Sequence, residues 1–71
     1  MENHSRFQKI GKTVRSARLE RGLSQSELAL RVGMKQPDIS RIEEGRKNIT
    51  LSTLSRLCKE LDIKKLDLED R

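Results

Sequence analysis

Apolar residues recur along this chain at helical intervals, and glycines and hydroxyl residues mark where each helix stops and the next begins. Ser5 is a suitable N-cap for a first helix running to about Arg21, with Gly22 as its stop. At ~100° per residue, Phe7, Ile10, Val14 and Ala17 fall within one ~80° arc, which predicts a single apolar face. Arg6, Lys9, Lys12, Arg15, Arg18 and Arg21 recur at every third position, so they wind around the helix instead of forming a stripe. Arg18 lands beside the apolar arc, while Lys9, Lys12 and Arg15 face away from it.

Ser24-Gln25-Ser26-Glu27 is a capping box, in which the Ser24 hydroxyl and the Glu27 carboxylate each satisfy an orphan backbone N–H. Leu28, Ala29 and Val32 form a short inward face, Gly33 ends this second helix, and Met34 and Lys35 make the turn. A third helix begins near Gln36, with Pro37 tolerated in its first turn because a proline there sacrifices no hydrogen bond. Ile39 and Ile42 point inward and Gly45 closes it. After the basic loop Gly45-Arg46-Lys47-Asn48, Thr50 caps a fourth helix whose core face is read as Leu51, Leu54, Leu57, Cys58 and Leu61. Beyond Asp62 the pattern divides: Ile63 and Leu66 continue a helix, whereas Leu66 and Leu68 alternate with Asp67 as a strand does. The expected fold is therefore all-α, a compact domain of four to five helices with a short C-terminal strand or helix. Residues 1–5 are expected to be a flexible lead, 6–62 the folded domain and 63–71 a dimerisation tail.

Composition narrows the classes. A chain of 71 residues supports one small core. With 38% charged residues, one phenylalanine and no other aromatic, it suits helices better than sheets. The single Cys58 excludes an internal disulfide and a cysteine-based zinc site, and its default role is a small buried hydrophobe. No apolar run approaches a membrane span and no signal-peptide pattern follows the N-terminal charges, so a cytoplasmic protein without a membrane partner is expected. The only histidine is His4, near the N-terminus, and no nucleophile–base set, phosphate loop or carboxylate pair is evident. Neither an enzyme nor a cofactor or metal requirement is expected.

Charge placement adds direction. Residues 1–47 carry eleven Lys/Arg against six Asp/Glu, and residues 48–71 carry five of each, so the whole net charge of +5 lies in the first two-thirds. Such asymmetry fits either a protein that meets a polyanion, most often nucleic acid, or a small protein kept soluble by a few net charges, and charge alone favours neither.

Two short helices joined by a glycine turn on a basic domain describe a helix-turn-helix. The stretch Leu28-Ala29, Val32-Gly33-Met34, then Ile39-Ser40, Ile42-Glu43 and Gly45 resembles the phage-repressor-like family of the lambda and 434 repressors and Cro. The resemblance runs from about Ile10 to Ile63. It implies sequence-specific binding of double-stranded operator DNA, with the third helix in the major groove and its N-terminal residues at the base edges. Those residues are Lys35, Gln36, Pro37 and Asp38, with Ser40 and Arg41 on the next outward turn. Gln36 suits adenine, and Arg41 or Lys35 suits guanine. Asp38 either accepts from a cytosine amine or serves as a first-turn dipole partner, the second being preferred. Pro37 departs from the family's usual polar residue and limits readout there to packing on a thymine methyl. Phosphate contacts are expected from Ser24, Gln25 and Ser26 at the second helix N-terminus and from Arg46, Lys47 and Asn48 in the basic loop. By the same resemblance Gln25 is the main phosphate clamp and braces Gln36. The resemblance also implies a structural ion pair between Arg18 and Glu43, which removes Arg18 from the DNA contacts.

A module of this size fills one half-site, so a homodimer is expected, with Ile63, Leu66 and Leu68 as the interface and Leu19 and Leu30 as ordinary exposed leucines. Residues 65–69, if a strand, need a partner, and a second copy is the simplest one. The run Gln25 to Ala29, Lys35-Gln36 with Ile39-Ser40, Thr50-Leu51 with Thr53, and the alternating tail resemble antitoxins of high-persistence (Hip-type) toxin–antitoxin modules. That resemblance implies a kinase-like toxin as a further partner. Controllers of restriction–modification systems and small prophage repressors are the alternative. Repression is the expected sign of regulation.

Overall fold

The computed structural model describes residues 3–64, which form four helices: α1 (Asn3–Glu20), α2 (Gln25–Val32), α3 (Gln36–Glu43) and α4 (Leu51–Leu61). The fold is all-α, with no strand among the described residues. Residues 65–71, which include Leu66 and Leu68 of the expected interface, lie outside the described part. No helix among the described residues is long and apolar enough to cross a membrane.

The local signals act at the helix starts. Ser24 Oγ accepts from the Glu27 N–H at 3.0 Å, and Glu27 Oε1 accepts from the Ser24 N–H at 2.7 Å, which completes the capping box. Thr50 Oγ1 accepts from the Thr53 N–H at 3.1 Å and opens α4. The first helix differs from expectation. It opens at Asn3, so Ser5 lies within its first turn instead of capping it.

A left-handed residue follows each helix within two positions: Gly22, Gly33, Gly45 and Asp62. Gly33 has φ +72°, and the Met34 N–H turns back to Ala29 O at 2.8 Å, which reverses the chain within three residues to begin α3. At the end of α4 the same geometry falls on Asp62, with φ +56° and the Ile63 N–H on Cys58 O at 2.8 Å.

The core gathers Ile10 and Val14 of α1, Leu28, Ala29 and Val32 of α2, Ile39 and Ile42 of α3, and Leu54, Leu57 and Leu61 of α4. Ala17, Leu23, Met34, Ile49, Cys58 and Ile63 pack partly buried around it, so Met34 seals the α2–α3 turn from beneath. Two expected core positions need correction. Leu51 is 80% exposed. Phe7 is only half-buried, beside the loop formed by Gly45, Arg46, Lys47 and Asn48. Ile63, expected at a dimer interface, packs partly buried against its own domain's core and keeps part of its surface exposed.

α1 crosses the end of α3 at Gly11. A β-carbon there would collide with the Ile42 carbonyl oxygen and come within 2.6 Å of the Glu43 carbonyl oxygen, so only a glycine lets the two backbones approach. That crossing sets the position of α3 relative to α1, and with it the functional surface.

Candidate nucleic-acid interface

α2, the Gly33-Met34-Lys35 turn and α3 form the helix-turn-helix. Lys35 is the N-cap of α3 without a side-chain cap bond, and Pro37 occupies the first turn. Lys35, Gln36, Pro37 and Arg41 are exposed, and Asp38 and Ser40 half-exposed, so the base-contact candidates line the outer side of the helix. Ile39 and Ile42 hold the inner side in the core.

The site is anchored from below by a buried ion pair. Arg18 is 7% exposed and Glu43 8% exposed. Arg18 Nε donates to Glu43 Oε2 at 2.6 Å and Nη2 to Oε1 at 3.0 Å, a two-pronged pairing, while Nη1 donates to Leu23 O at 2.8 Å. These bonds with Glu43 hold the Arg18 guanidinium above its usual pKa, so it stays charged under all ordinary conditions.

Two amides extend the pair to the surface. Gln25 Nε2 donates to Glu43 Oε1 at 3.0 Å, and Gln36 Nε2 donates to Gln25 Oε1 at 2.8 Å. Because a carboxylate only accepts, Glu43 fixes which end of Gln25 faces it, and Gln25 then fixes Gln36. Gln36 is left presenting one amide N–H and its carbonyl oxygen outward, a donor and an acceptor side by side. Adenine offers the complementary pair in the major groove, acceptor N7 and the N6 amine.

At the α2 N-terminus the capping box consumes the N–H groups of Ser24 and Glu27. Those of Gln25 and Ser26 have no acceptor among the described residues and lie at the positive end of the helix dipole, a suitable seat for phosphate. The bonds from Ser24, backbone first and hydroxyl second, hold the Glu27 carboxyl below its usual pKa. Arg15, not among the expected contacts, lines a polar depression here with Arg18, Gln25, Glu43 and Glu44. Its place was hidden because the α1 cations wind around the helix, and only the α1–α3 crossing brings one of them to α2.

On the far side of α3, Arg41 Nη1 lies 3.2 Å from Asp38 Oδ1, Lys47 Nζ 3.9 Å from the same oxygen, and Arg46 Nη1 2.8 Å from Glu44 Oε1. The Asp38 carboxylate thus engages cations, while its backbone N–H donates to the carbonyl oxygen of the N-cap residue Lys35 at 3.0 Å. Asn48 is exposed at the end of this loop.

The sequence profile of the helix-turn-helix family matches residues 14–68. The HTH-type transcriptional regulator y4dJ of Sinorhizobium fredii is 36% identical over 59 residues, 83% of this chain and 77% of that protein. Among solved structures, the restriction–modification controller C.AhdI of Aeromonas hydrophila is similar with a TM-score of 0.82 and 30% identity, over 90% of this chain and 93% of its own. The controller C.Esp1396I, solved as a tetramer on its natural 35-base-pair operator, has a TM-score of 0.76 and 29% identity, over 83% of this chain and 78% of its own.

Proposed function

The chain belongs to the helix-turn-helix family and is a DNA-binding transcriptional regulator, and we propose that it is a homodimeric, sequence-specific repressor of the controller type, acting in the cytoplasm. The observation that carries the specific part is the Arg18–Glu43–Gln25–Gln36 chain of bonds. It orients the Gln36 amide before DNA arrives, so little freedom remains to be lost on reading a base. Gln36 reads adenine, Lys35 and Arg41 read guanine or neighbouring phosphates, and Pro37 and Ser40 pack beside them. The N–H groups of Gln25 and Ser26, with Ser24 and Arg15, clamp one phosphate strand, and Arg46, Lys47 and Asn48 follow the other.

The extent of the match to C.AhdI supports the controller type. C.Esp1396I is found as a tetramer in complex with its operator, which supports an oligomeric form here. The second reading, a Hip-type antitoxin with a kinase-like toxin as partner, rests on the residue pattern of α2, α3 and the start of α4. Co-purification with a kinase-like protein encoded by the adjacent gene would favour it, and an adjacent methyltransferase gene would favour the controller.

Selection of duplexes from a random pool by the purified protein, followed by sequencing, tests the main proposal. A two-fold repeated motif with adenine at a position lost in Gln36→Ala is expected, and that position should lose about 1–3 kcal/mol of discrimination. Enrichment of no motif would remove sequence specificity from the proposal.

A further inference from the structure

The recognition side of α3 holds its cations with its own anions. Asp38 Oδ1 takes both Arg41, at 3.2 Å, and Lys47, at 3.9 Å, and Glu44 takes Arg46 at 2.8 Å. Lys35, at the start of the same surface, has no ion-pair partner among the described residues. Ion pairs in such half-exposed positions add little to stability, so stabilising the fold is a poor explanation for a carboxylate here. Its position on the surface that approaches DNA has a larger consequence.

We infer that Asp38 is a specificity-determining residue, which opposes binding to DNA in general and releases that opposition only at chosen sites. The inference rests on α3 being the recognition helix. Every duplex offers phosphates, and sequence-independent affinity comes from cations that reach them. Asp38 repels those phosphates and occupies Arg41 and Lys47, so a random sequence must break two internal ion pairs to use them. An arbitrary base edge also leaves the carboxylate desolvated without a donor, which is costly. A cytosine amine opposite Asp38 removes that cost, and Arg41 is then free to turn to a neighbouring base or phosphate. Specificity is the difference between the two affinities, and Asp38 enlarges it by weakening the wrong complex more than the right one.

The test compares wild type with Asp38→Asn on two probes, a random-sequence duplex of about 30 base pairs, long enough for two half-sites, and the duplex most enriched by selection with wild type. Glu60→Gln is the control. It removes an equal charge from α4, where Glu60 pairs with Arg31 at 3.1 Å. Asp38→Asn is expected to bind the random duplex about tenfold more tightly, with a salt slope steeper by about one to two. It should gain less on the enriched duplex, so that the ratio of the two affinities falls by about tenfold, on the scale of one mismatched base pair. Glu60→Gln should leave that ratio unchanged. If Asp38→Asn also leaves it unchanged while wild type retains its preference, the inference fails and the recognition reading stands. If wild type binds both duplexes equally, or with no dependence on salt, the recognition reading fails and takes the inference with it.

Discussion

The Arg18 guanidinium connects the core to the surface, and its replacement separates stability from recognition. Arg18→Met would leave the Glu43 carboxylate buried without its counter-charge, at a cost of about 3 kcal/mol. For a domain of this length that is a fall in Tm of roughly 12–24 °C, measurable by circular dichroism. Unchanged melting together with an altered DNA preference would instead make Arg18 a DNA-contact residue. Glu27 gives a pH signature of definite sign. Its folded-state pKa lies below the unfolded value, so the capping-box contribution is fully present above the unfolded value and disappears as pH falls through the folded one. The Tm difference between wild type and Glu27→Gln should therefore be present at neutral pH and vanish in acid. A difference that is constant with pH would exclude the carboxylate as its source. Cys58 behaves in the opposite sense. Burial pushes its thiol pKa up, so alkylation at neutral pH should be slower than for an unfolded control. At this scale the capping box was legible because both partners lie within four residues. Arg15 and the cation pairing of Asp38 were not, since each depends on where a different helix arrives.

Helices were legible where their stop signals were local, and misread where a neighbour decides. The periodicity of α4 gives the direction of each side chain around the axis but not where along it the neighbouring helices end. Leu51 stands at the first position of α4, leans toward the helix start and projects into solvent, despite its spacing from Leu54. Ser5 reads as a cap only if the chain before it is not helical, and α1 begins earlier. Gly11 carried no visible signal, because a glycine within a helix reads only as a propensity cost. The α1–α3 crossing reverses the usual effect of its replacement. Alanine normally stabilises a helix interior by roughly 0.5–1 kcal/mol over glycine. At Gly11 the new methyl meets backbone carbonyls that cannot rotate away, so Gly11→Ala should be destabilising overall, by about 1–3 kcal/mol. Asp62 offers the converse. It is the one non-glycine residue with positive φ among those described, so Asp62→Gly should stabilise by about 1 kcal/mol. The surface pair it loses, 3.6 Å to Arg21, offsets little of that. A lower Tm for Asp62→Gly would show the Arg21 contact to be worth more than its geometry implies.

The dimensions of the whole molecule bear on assembly. The domain extends 31 Å at its longest and carries one recognition helix of 8 residues, about 12 Å of rise. Two half-sites one turn apart lie roughly 34–36 Å from each other, so under the proposed function one copy would read one half-site and a full operator would need two. Charge divides in the same way, with the whole excess of +5 in residues 1–47 and a balanced remainder from 48 to 71. Like-charged DNA-binding faces repel, so contact between copies is more favourable through the neutral portion. Ile63 packs partly buried on its own core, which leaves the exposed Leu51, and Leu66 and Leu68 outside the described part, as the apolar residues of that portion not assigned to the core. A chain ending at Lys64 retains all the core residues and should melt close to the full chain. It should sediment as a monomer at concentrations where the full chain dimerises, and its affinity for a two-half-site duplex should fall to that of a single half-site. Its salt dependence should flatten as well, because log affinity scales with the phosphates neutralised and half of the cations are gone. Persistence of the dimer after truncation would move the interface to the exposed leucines Leu19, Leu30 or Leu51, and the same duplex titration with each changed to Ser would locate it.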